Sequence, residues 1–261
     1  MRAVVSGAAG RLGQRVISHL MRATGIEVIA ALVRPGSDQE GRSVDGTEGL
    51  VYSSALDVID STSVLVEVAT REAALIHGAR AAETKCPVVV ATTGFDASEQ
   101  DRWAAYAERT PVLLAPNLSM GVTVLLDLVA QASRALAEYD VEILELHHNR
   151  KRDAPSGTAW ALGQAAAAAR GQDIQRDAVC ARAGEIGPRG RAEIGLQAIR
   201  GGDIIGEHTV FIAGETERVE LTHRAANRDA FAAGAVAAAR YVGAPDRKPG
   251  LYDMRDVLGL N

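Results

Sequence analysis

Aromatic residues are scarce: Phe, Trp and Tyr make up 4% of the 261 residues. So few ring faces argue against a stacking platform for single-stranded nucleic acid. Only two cysteines occur, Cys86 and Cys180. They match no metal-ligand spacing and no disulfide framework, so the chain is expected in a reduced, cytoplasmic interior with no bound metal. Cys86, directly before Pro87 and an apolar run, reads as a core residue. Long hydrophobic runs are also missing. No stretch approaches the roughly 20 apolar residues that cross a bilayer, and Met1 leads straight into a strand rather than into an export signal. Nor is positive charge in excess: the net charge is −5 and the isoelectric point about 5.7, which argues against a general nucleic-acid binder. Internal repeats and low-complexity linkers are absent.

What the chain does have is a 47% share of hydrophobic residues, enough for one large core or two smaller ones. The run Arg2-Ala-Val-Val-Ser6 reads as a strand. Gly7-Ala8-Ala9-Gly10-Arg11-Leu12-Gly13 follows, and then a helical pattern. Strand, glycine turn and helix are the context that a dinucleotide fingerprint requires, here with the spacing G-x-x-G-x-x-G. Gly7 permits the tight turn, Gly10 lets a pyrophosphate approach the backbone, and Gly13 lets the helix pack on the strand. The bland alternative is an ordinary βα turn. The second strand, residues 27–32, is followed by Val33 and Arg34, where an NAD-binding chain often has a carboxylate for the ribose 2′-hydroxyl. A guanidinium there suits a 2′-phosphate, so NADPH is expected over NADH, with NADH still possible. Residues 35–49 are polar and glycine-rich and read as a loop.

Further strands are expected over residues 63–69, 87–91 and 111–115, with helical patterns at 72–83 and 97–108 between them. Strands alternating with helices define a doubly wound parallel sheet. Thr92 and Thr93 after the 87–91 strand stand at a carboxyl strand end where a ligand would meet them; the bland alternative is a turn and helix cap. His77, on the amphipathic 72–83 segment, reads as structural. After a long helix at 122–137 the order changes. Strand-like runs at 194–200, 208–213 and 218–224, joined by glycine-rich turns, read as an antiparallel or mixed sheet in a second domain. An alanine-rich helix over 229–242 and residues 250–258 close the chain.

The most informative stretch is residues 142–160, E-I-L-E-L-H-H-N-R-K-R-D-A-P-S-G-T-A-W. His147 and His148 end a mostly apolar strand, 141–146, and point to opposite sides because strand side chains alternate. Pro155 stops the strand. Ser156 or Thr158 can cap the helix that opens around Gly157. The first turn of such a helix offers free N–H groups and a positive dipole end to a carboxylate or phosphate. Lys151 lies between strand and helix. The run therefore predicts a site for an acidic small molecule with a titratable imidazole beside it. The alternative is a solvated basic turn with Ser156 only as a cap.

This run resembles the signature of the 4-hydroxy-tetrahydrodipicolinate (dihydrodipicolinate) reductase family of lysine and diaminopimelate biosynthesis. G-A-A-G-R-L-G, A-T-T-G-F-D, A-P-N-L-S-M-G-V, R-G-G-D-I-I-G-E-H-T and G-L-Y-D-M-R-D-V-L resemble further blocks of that family, in order and over essentially the whole chain. The resemblance implies an α/β fold: an N-terminal Rossmann-type doubly wound parallel sheet plus a C-terminal α+β substrate domain on an open mixed sheet. It places a dinucleotide-binding domain at 1–118, completed by 229–261, and a substrate-binding and tetramerisation domain at 119–228. It implies NAD(P)H-dependent reduction of a cyclic dicarboxylic imine by a cytoplasmic homotetramer. His147 would be the general acid/base, Lys151 a proton donor and carboxylate partner, and His148 a substrate contact. Ser156 belongs to the substrate-binding S-G-T block, in which Gly157 and Thr158 would present N–H groups to a carboxylate. Gly7, Ala8, Ala9, Gly10, Arg11, Leu12 and Arg34 would line the cofactor. So would Ala91, Thr92 and Thr93, and Ala115, Pro116, Asn117 and Leu118. The chain departs from the family in having Val33 for a frequent acidic residue, Val68-Ala69-Thr70 for Asp-Phe-Thr, and Leu118 for a frequent Phe. Two other readings share the first domain: a cofactor-sensing regulator without chemistry, and an amino-acid or semialdehyde dehydrogenase. Retention of His147 and Lys151 opposes the former, and the S-G-T block opposes the latter.

Overall fold

A computed structural model describes residues 1–260 as two compact units, one formed by Met1–Met120 and the chain from Arg228 onward, the other by Gly121–Asn227. The first unit opens with β1 (Arg2–Ser6), α1 (Arg11–Arg22), β2 (Glu27–Leu32), β3 (Tyr52–Ser53) and β4 (Ser63–Glu67). It continues with α2 (Arg71–Thr84), β5 (Val88–Val90), α3 (Ala97–Ala107) and β6 (Pro111–Leu114). The second unit holds α4 (Met120–Ala135), β7 (Asp140–His147), α5 (Gly157–Ala169), α6 (Ile174–Asp177), β8 (Ala178–Val179), β9 (Ile194–Arg200), β10 (Glu207–Ala213) and β11 (Arg218–Arg224). The chain then adds α7 (Asp229–Val242), β12 (Gly250–Tyr252) and α8 (Met254–Leu258) to the first unit.

All seven strands of the first sheet run parallel, in the order β12-β6-β5-β4-β1-β2-β3. Strands covered on both faces read as continuous apolar runs, and β4 and β5 are buried at every residue. One face packs on α1 and α7 through Val16, Ile17, Leu20, Ala235 and Ala239. The other packs on α2 and α3, with Trp103 wholly buried. A Cβ at Gly78 of α2 would lie 2.5 Å from the Trp103 ring, so a glycine is what lets these two helices close on each other. The helix starts follow their caps. Thr70 caps α2, and Asp96 and Glu99 form a reciprocal capping box on α3.

The second sheet is mixed, in the order β11-β10-β7-β9-β8. β10 runs antiparallel to both of its neighbours, whereas β7 and β9 are parallel. Burial alternates along β7 and β10: Val141, Ile143, Val210 and Ile212 face the core with Leu162 and Ala166 of α5. The opposite face carries Leu144, Leu146 and Ile199, which are half-buried or exposed. The expected doubly wound parallel sheet and mixed second sheet are both present. The loop expected over residues 35–49 is more anchored than its polar composition suggests. Val44 tucks into the first core, and Ser43 bridges to Val51 before the two-residue strand β3.

Candidate active site

In the first unit the strand order turns between β1 and β4, the point at which open α/β sheets take their ligands. A cleft of about 690 Å³ opens there, at the carboxyl ends of β1, β2 and β4, lined by Gly7, Gly10, Arg34, Ser54, Thr70 and His77 among others. The glycines are dictated by backbone proximity. Gly7 has φ +70, and a Cβ on it would meet the Val68 and Ala69 backbone at 2.8 Å. A Cβ on Gly13 would lie 2.2 Å from the Gly7 carbonyl oxygen. The turn thus forms a cradle of bare backbone at the N-terminus of α1, the geometry that receives a pyrophosphate. Of the sequence-predicted residues, Gly7, Ala9, Gly10 and Arg34 line the cleft. Ala8 is buried, and its N–H donates to the Leu32 carbonyl. Arg11 and Leu12 begin α1. Ala91, Thr92 and Thr93 follow β5, with the Thr92 hydroxyl donating to the Ala69 carbonyl at 3.1 Å. Ala115, Pro116, Asn117 and Leu118 follow β6, and the Leu118 carbonyl is held against Gly234 of α7.

Two features of this cleft were not foreseen. The Arg34 side chain is exposed and makes no hydrogen bond or ion pair among the described residues, which leaves its guanidinium available to an anion. Yet a carboxylate does reach the region. Glu40, six residues on, accepts from the Gly36 N–H at 3.0 Å and from the Ser54 hydroxyl. His77, read as structural, also lines the cleft: its Nδ1 lies 2.6 Å from the buried Glu67 carboxylate and 3.0 Å from the Ser6 hydroxyl.

In the second unit the end of β7, the loop after it and the start of α5 converge. Ser156 is the N-cap of α5, accepting from the Ala159 N–H at 3.1 Å, while Gly157 begins the helix with open space around its Cα. Thr158 occupies the same first turn. His147 has a side chain 12% exposed, with Nδ1 2.5 Å from Glu145 Oε2. Glu145 is fully buried. It also accepts from two Arg200 nitrogens, at 2.6 and 2.8 Å, and from the Ser156 N–H at 3.0 Å. His208 of β10 lies edge-on to His147 with ring centroids 5.3 Å apart, and its Nε2 is 3.2 Å from the Ser156 hydroxyl. Lys151 Nζ donates to Asp153 at 2.8 Å. His148 is half-buried, and its Nδ1 has no hydrogen-bond partner among the described residues.

The electrostatics follow from this packing. Burial pushes the Glu145 carboxyl up, but hydrogen bonds from Arg200, His147 and Ser156 outweigh it and hold the group below the usual carboxylate range. Burial lowers His147; Glu145 opposes that, and the charges of Lys151 and Arg200 add to it. Burial, with His147 nearby, lowers His208 to about 4, so it is neutral at physiological pH. Lys151 holds the Asp153 carboxyl below its ordinary value. Glu145, Arg200 and His208 were missing from the sequence-predicted site. A signal for Glu145 existed: two residues before His147 on a strand means the same face, here the face of Val141 and Ile143.

A seven-stranded parallel sheet with a glycine cradle at its switch point has the architecture of a Rossmann-type dinucleotide-binding unit. Two family models match: "Dihydrodipicolinate reductase, N-terminus" over residues 1–118, and "Dihydrodipicolinate reductase, C-terminus" over residues 121–258. A 4-hydroxy-tetrahydrodipicolinate reductase of Anaeromyxobacter sp. (strain Fw109-5) is 44% identical, covering 98% of this chain and 97% of the relative. One from Thiobacillus denitrificans is 45% identical, covering 100% and 99%. The chain belongs to the dihydrodipicolinate reductase family. The fold is also that of a dipicolinate-bound dihydrodipicolinate reductase from Paenisporosarcina sp. TG-14, with a TM-score of 0.79 at 22% identity over 97% of each chain.

Proposed function

We propose that this chain reduces 4-hydroxy-tetrahydrodipicolinate (dihydrodipicolinate) to tetrahydrodipicolinate in lysine and diaminopimelate biosynthesis, preferring NADPH and accepting NADH. The observation that carries the reading is the path from His147 through Glu145 to the Ser156 N–H, 2.5 and 3.0 Å, which ties an imidazole to the first turn of α5. In the first unit, the Gly7–Gly10 turn would hold the pyrophosphate, and Arg34 the 2′-phosphate. Bound there, the reduced nicotinamide supplies the hydride. In the second unit, Ser156 and the Gly157 and Thr158 N–H groups hold one carboxylate of the diacid, with Lys151 and His148 as further contacts. His147 and Lys151 hold and deliver the proton that completes the reduction as electron density builds on the substrate nitrogen. Fixing a rigid diacid at both ends orients its ring for transfer.

The test is direct. Purified protein, NADPH and the imine generated in situ by the preceding synthase should give loss of NADPH absorbance. No loss with active synthase present removes the reading. The cofactor preference has its own test. Arg34→Ala is expected to weaken NADPH about 10- to 100-fold, the worth of one or two charge-assisted hydrogen bonds, and to leave NADH nearly unchanged. Equal weakening of both would take Arg34 off the 2′-phosphate. Glu40→Gln removes a negative charge from the Ser54 side of the cleft and is expected to tighten NADPH selectively in the same titrations. We read the native state as a cytoplasmic homotetramer. Leu144, Leu146 and Ile199, side by side on the sheet face away from the helices, suit a subunit interface. A monomeric mass in solution would contradict that assembly.

A further inference from the structure

Glu145 sits on the buried face of β7 with both oxygens committed. Oε2 accepts from His147 Nδ1 at 2.5 Å and from Arg200 at 2.8 Å. Oε1 accepts from the other Arg200 nitrogen at 2.6 Å and from the Ser156 N–H at 3.0 Å. An ionised carboxylate can only accept, so the proton at the 2.5 Å contact belongs to His147 Nδ1. Nε2 is then the ring nitrogen left to give or take a proton. Its side of the ring is kept clear by a glycine: a Cβ at Gly206 would lie 3.0 Å from Nε2.

We propose that Glu145 is a positioning residue for the reduction: anchored by Arg200, its carboxylate fixes the His147 ring with Nδ1 inward and offers Nε2 to the diacid. This rests on the reading above that His147 carries the proton of the reaction. The arrangement follows a general rule, that the hydrogen bond made by one imidazole nitrogen decides the role of the other. Arg200 belongs to the device because an unpaired carboxylate at full burial is costly, and removing one partner of a buried ion pair leaves the other charge uncompensated. Arg200 is itself held, donating to the Asp153 and Ile199 carbonyls at 2.7 and 2.8 Å.

Two opposite charges therefore act on one imidazole through one contact. Glu145 strengthens its hold on a proton and Arg200 weakens it. The other groups facing it are Lys151 and its partner Asp153 from the following loop, and His208 from β10, which is neutral and whose own neighbour is His223 on β11. The test uses the full-length enzyme and two variants. Glu145→Gln leaves Arg200 unbalanced beside His147, so the limb of the kcat/KM pH profile that reports His147 should move to lower pH. Arg200→Gln leaves the carboxylate unbalanced, and the same limb should move to higher pH. In Glu145→Gln, kcat should fall about 10- to 100-fold, the usual cost of losing an orienting partner, with NADPH affinity unchanged.

Imidazole NMR titration, with the His147 signal assigned by a His147→Asn variant, reads the same shifts without turnover. Opposite displacements support the proposal. Displacement in one direction for both variants, or lost kcat with the His147 titration unmoved, overturns it and leaves Glu145 a purely structural anion. Should Glu145→Gln fail to fold, Glu145→Asp and Arg200→Gln decide instead. The first must retain activity and the wild-type limb, and the second must raise it. An inactive wild-type enzyme would count against the functional reading, whereas the NMR titration would still judge the pairing.

Discussion

Replacing Lys151 by alanine is expected to lower kcat by about 10²- to 10⁴-fold, the range a positioned proton donor contributes. The NADPH dissociation constant should not change, because the nucleotide is assigned to the Gly7–Gly10 turn and Arg34, and Lys151 to the diacid. The side chain is 19% exposed and already holds an anionic partner, with Nζ 2.8 Å from Asp153. A substrate carboxylate must therefore share or displace Asp153 to reach it. That makes the split between kcat and KM informative. If Lys151 served only as a carboxylate clamp, KM would rise with kcat little changed; loss of a group that acts in the transition state lowers kcat. Fluorescence titration of NADPH, run beside steady-state kinetics, separates these outcomes. A large fall in NADPH affinity would show that Lys151 does not belong to the diacid site alone.

Much of the first unit was legible in the chain because its physics is local. Strands buried on both faces read as apolar runs, and β5 stood out for that reason. The glycine turn is written in Gly7 and Gly13, whose Cβ atoms would strike nearby backbone, and in Gly10 between them, where the fit is tight. The strand β3 was not legible. Two residues are too few for any periodicity, and Tyr52 and Ser53 become a strand only by pairing with Ala31 and Leu32. The same holds for Val44, which reads as loop but is drawn into the core by tertiary contacts.

In the second unit the sequence displayed the donors and concealed what holds them. His147, Lys151 and Ser156 lie within ten residues of one another, so their proximity is covalent. Arg200 and His208 come from β9 and β10, and only sheet register brings them in: His147 pairs with Arg200, and Glu145 with His208. Strand alternation could have placed Glu145 beside His147. Its burial as an ion depends on a guanidinium 55 residues away, which no local pattern announces. His77 was concealed differently. On an amphipathic helix a lone histidine reads as packing, and its tie to Glu67 appears only when α2 is laid against β4. The carboxylate absent at the end of β2 likewise returns from Glu40 through a loop fold that composition does not specify.

The second large effect is expected from Gly13→Ala, which should weaken both nucleotides by about 100-fold or more and lower thermal stability. The added methyl would lie 2.2 Å from the Gly7 carbonyl oxygen and 2.9 Å from the Ala8 Cα. Both are backbone atoms, so no rotamer change relieves the clash. Helix α1 must lift away from the turn, and the N–H groups at its start move with it. Overpacking of this kind typically costs about 1–3 kcal/mol, or roughly 2–12 °C in Tm for a domain of this size. Gly10→Ala is the contrasting variant, because its Cβ would meet only the Gly7 carbonyl oxygen, at 3.1 Å. It should fold with near-normal Tm and still lose nucleotide affinity, since the methyl stands where a pyrophosphate must approach the backbone. Calorimetry and nucleotide titration on the two variants distinguish a cradle that supports the helix from one that only receives the ligand. Normal nucleotide binding by Gly10→Ala would mean that the diphosphate does not lie over this turn, and the assignment of the first unit would have to be redrawn from there.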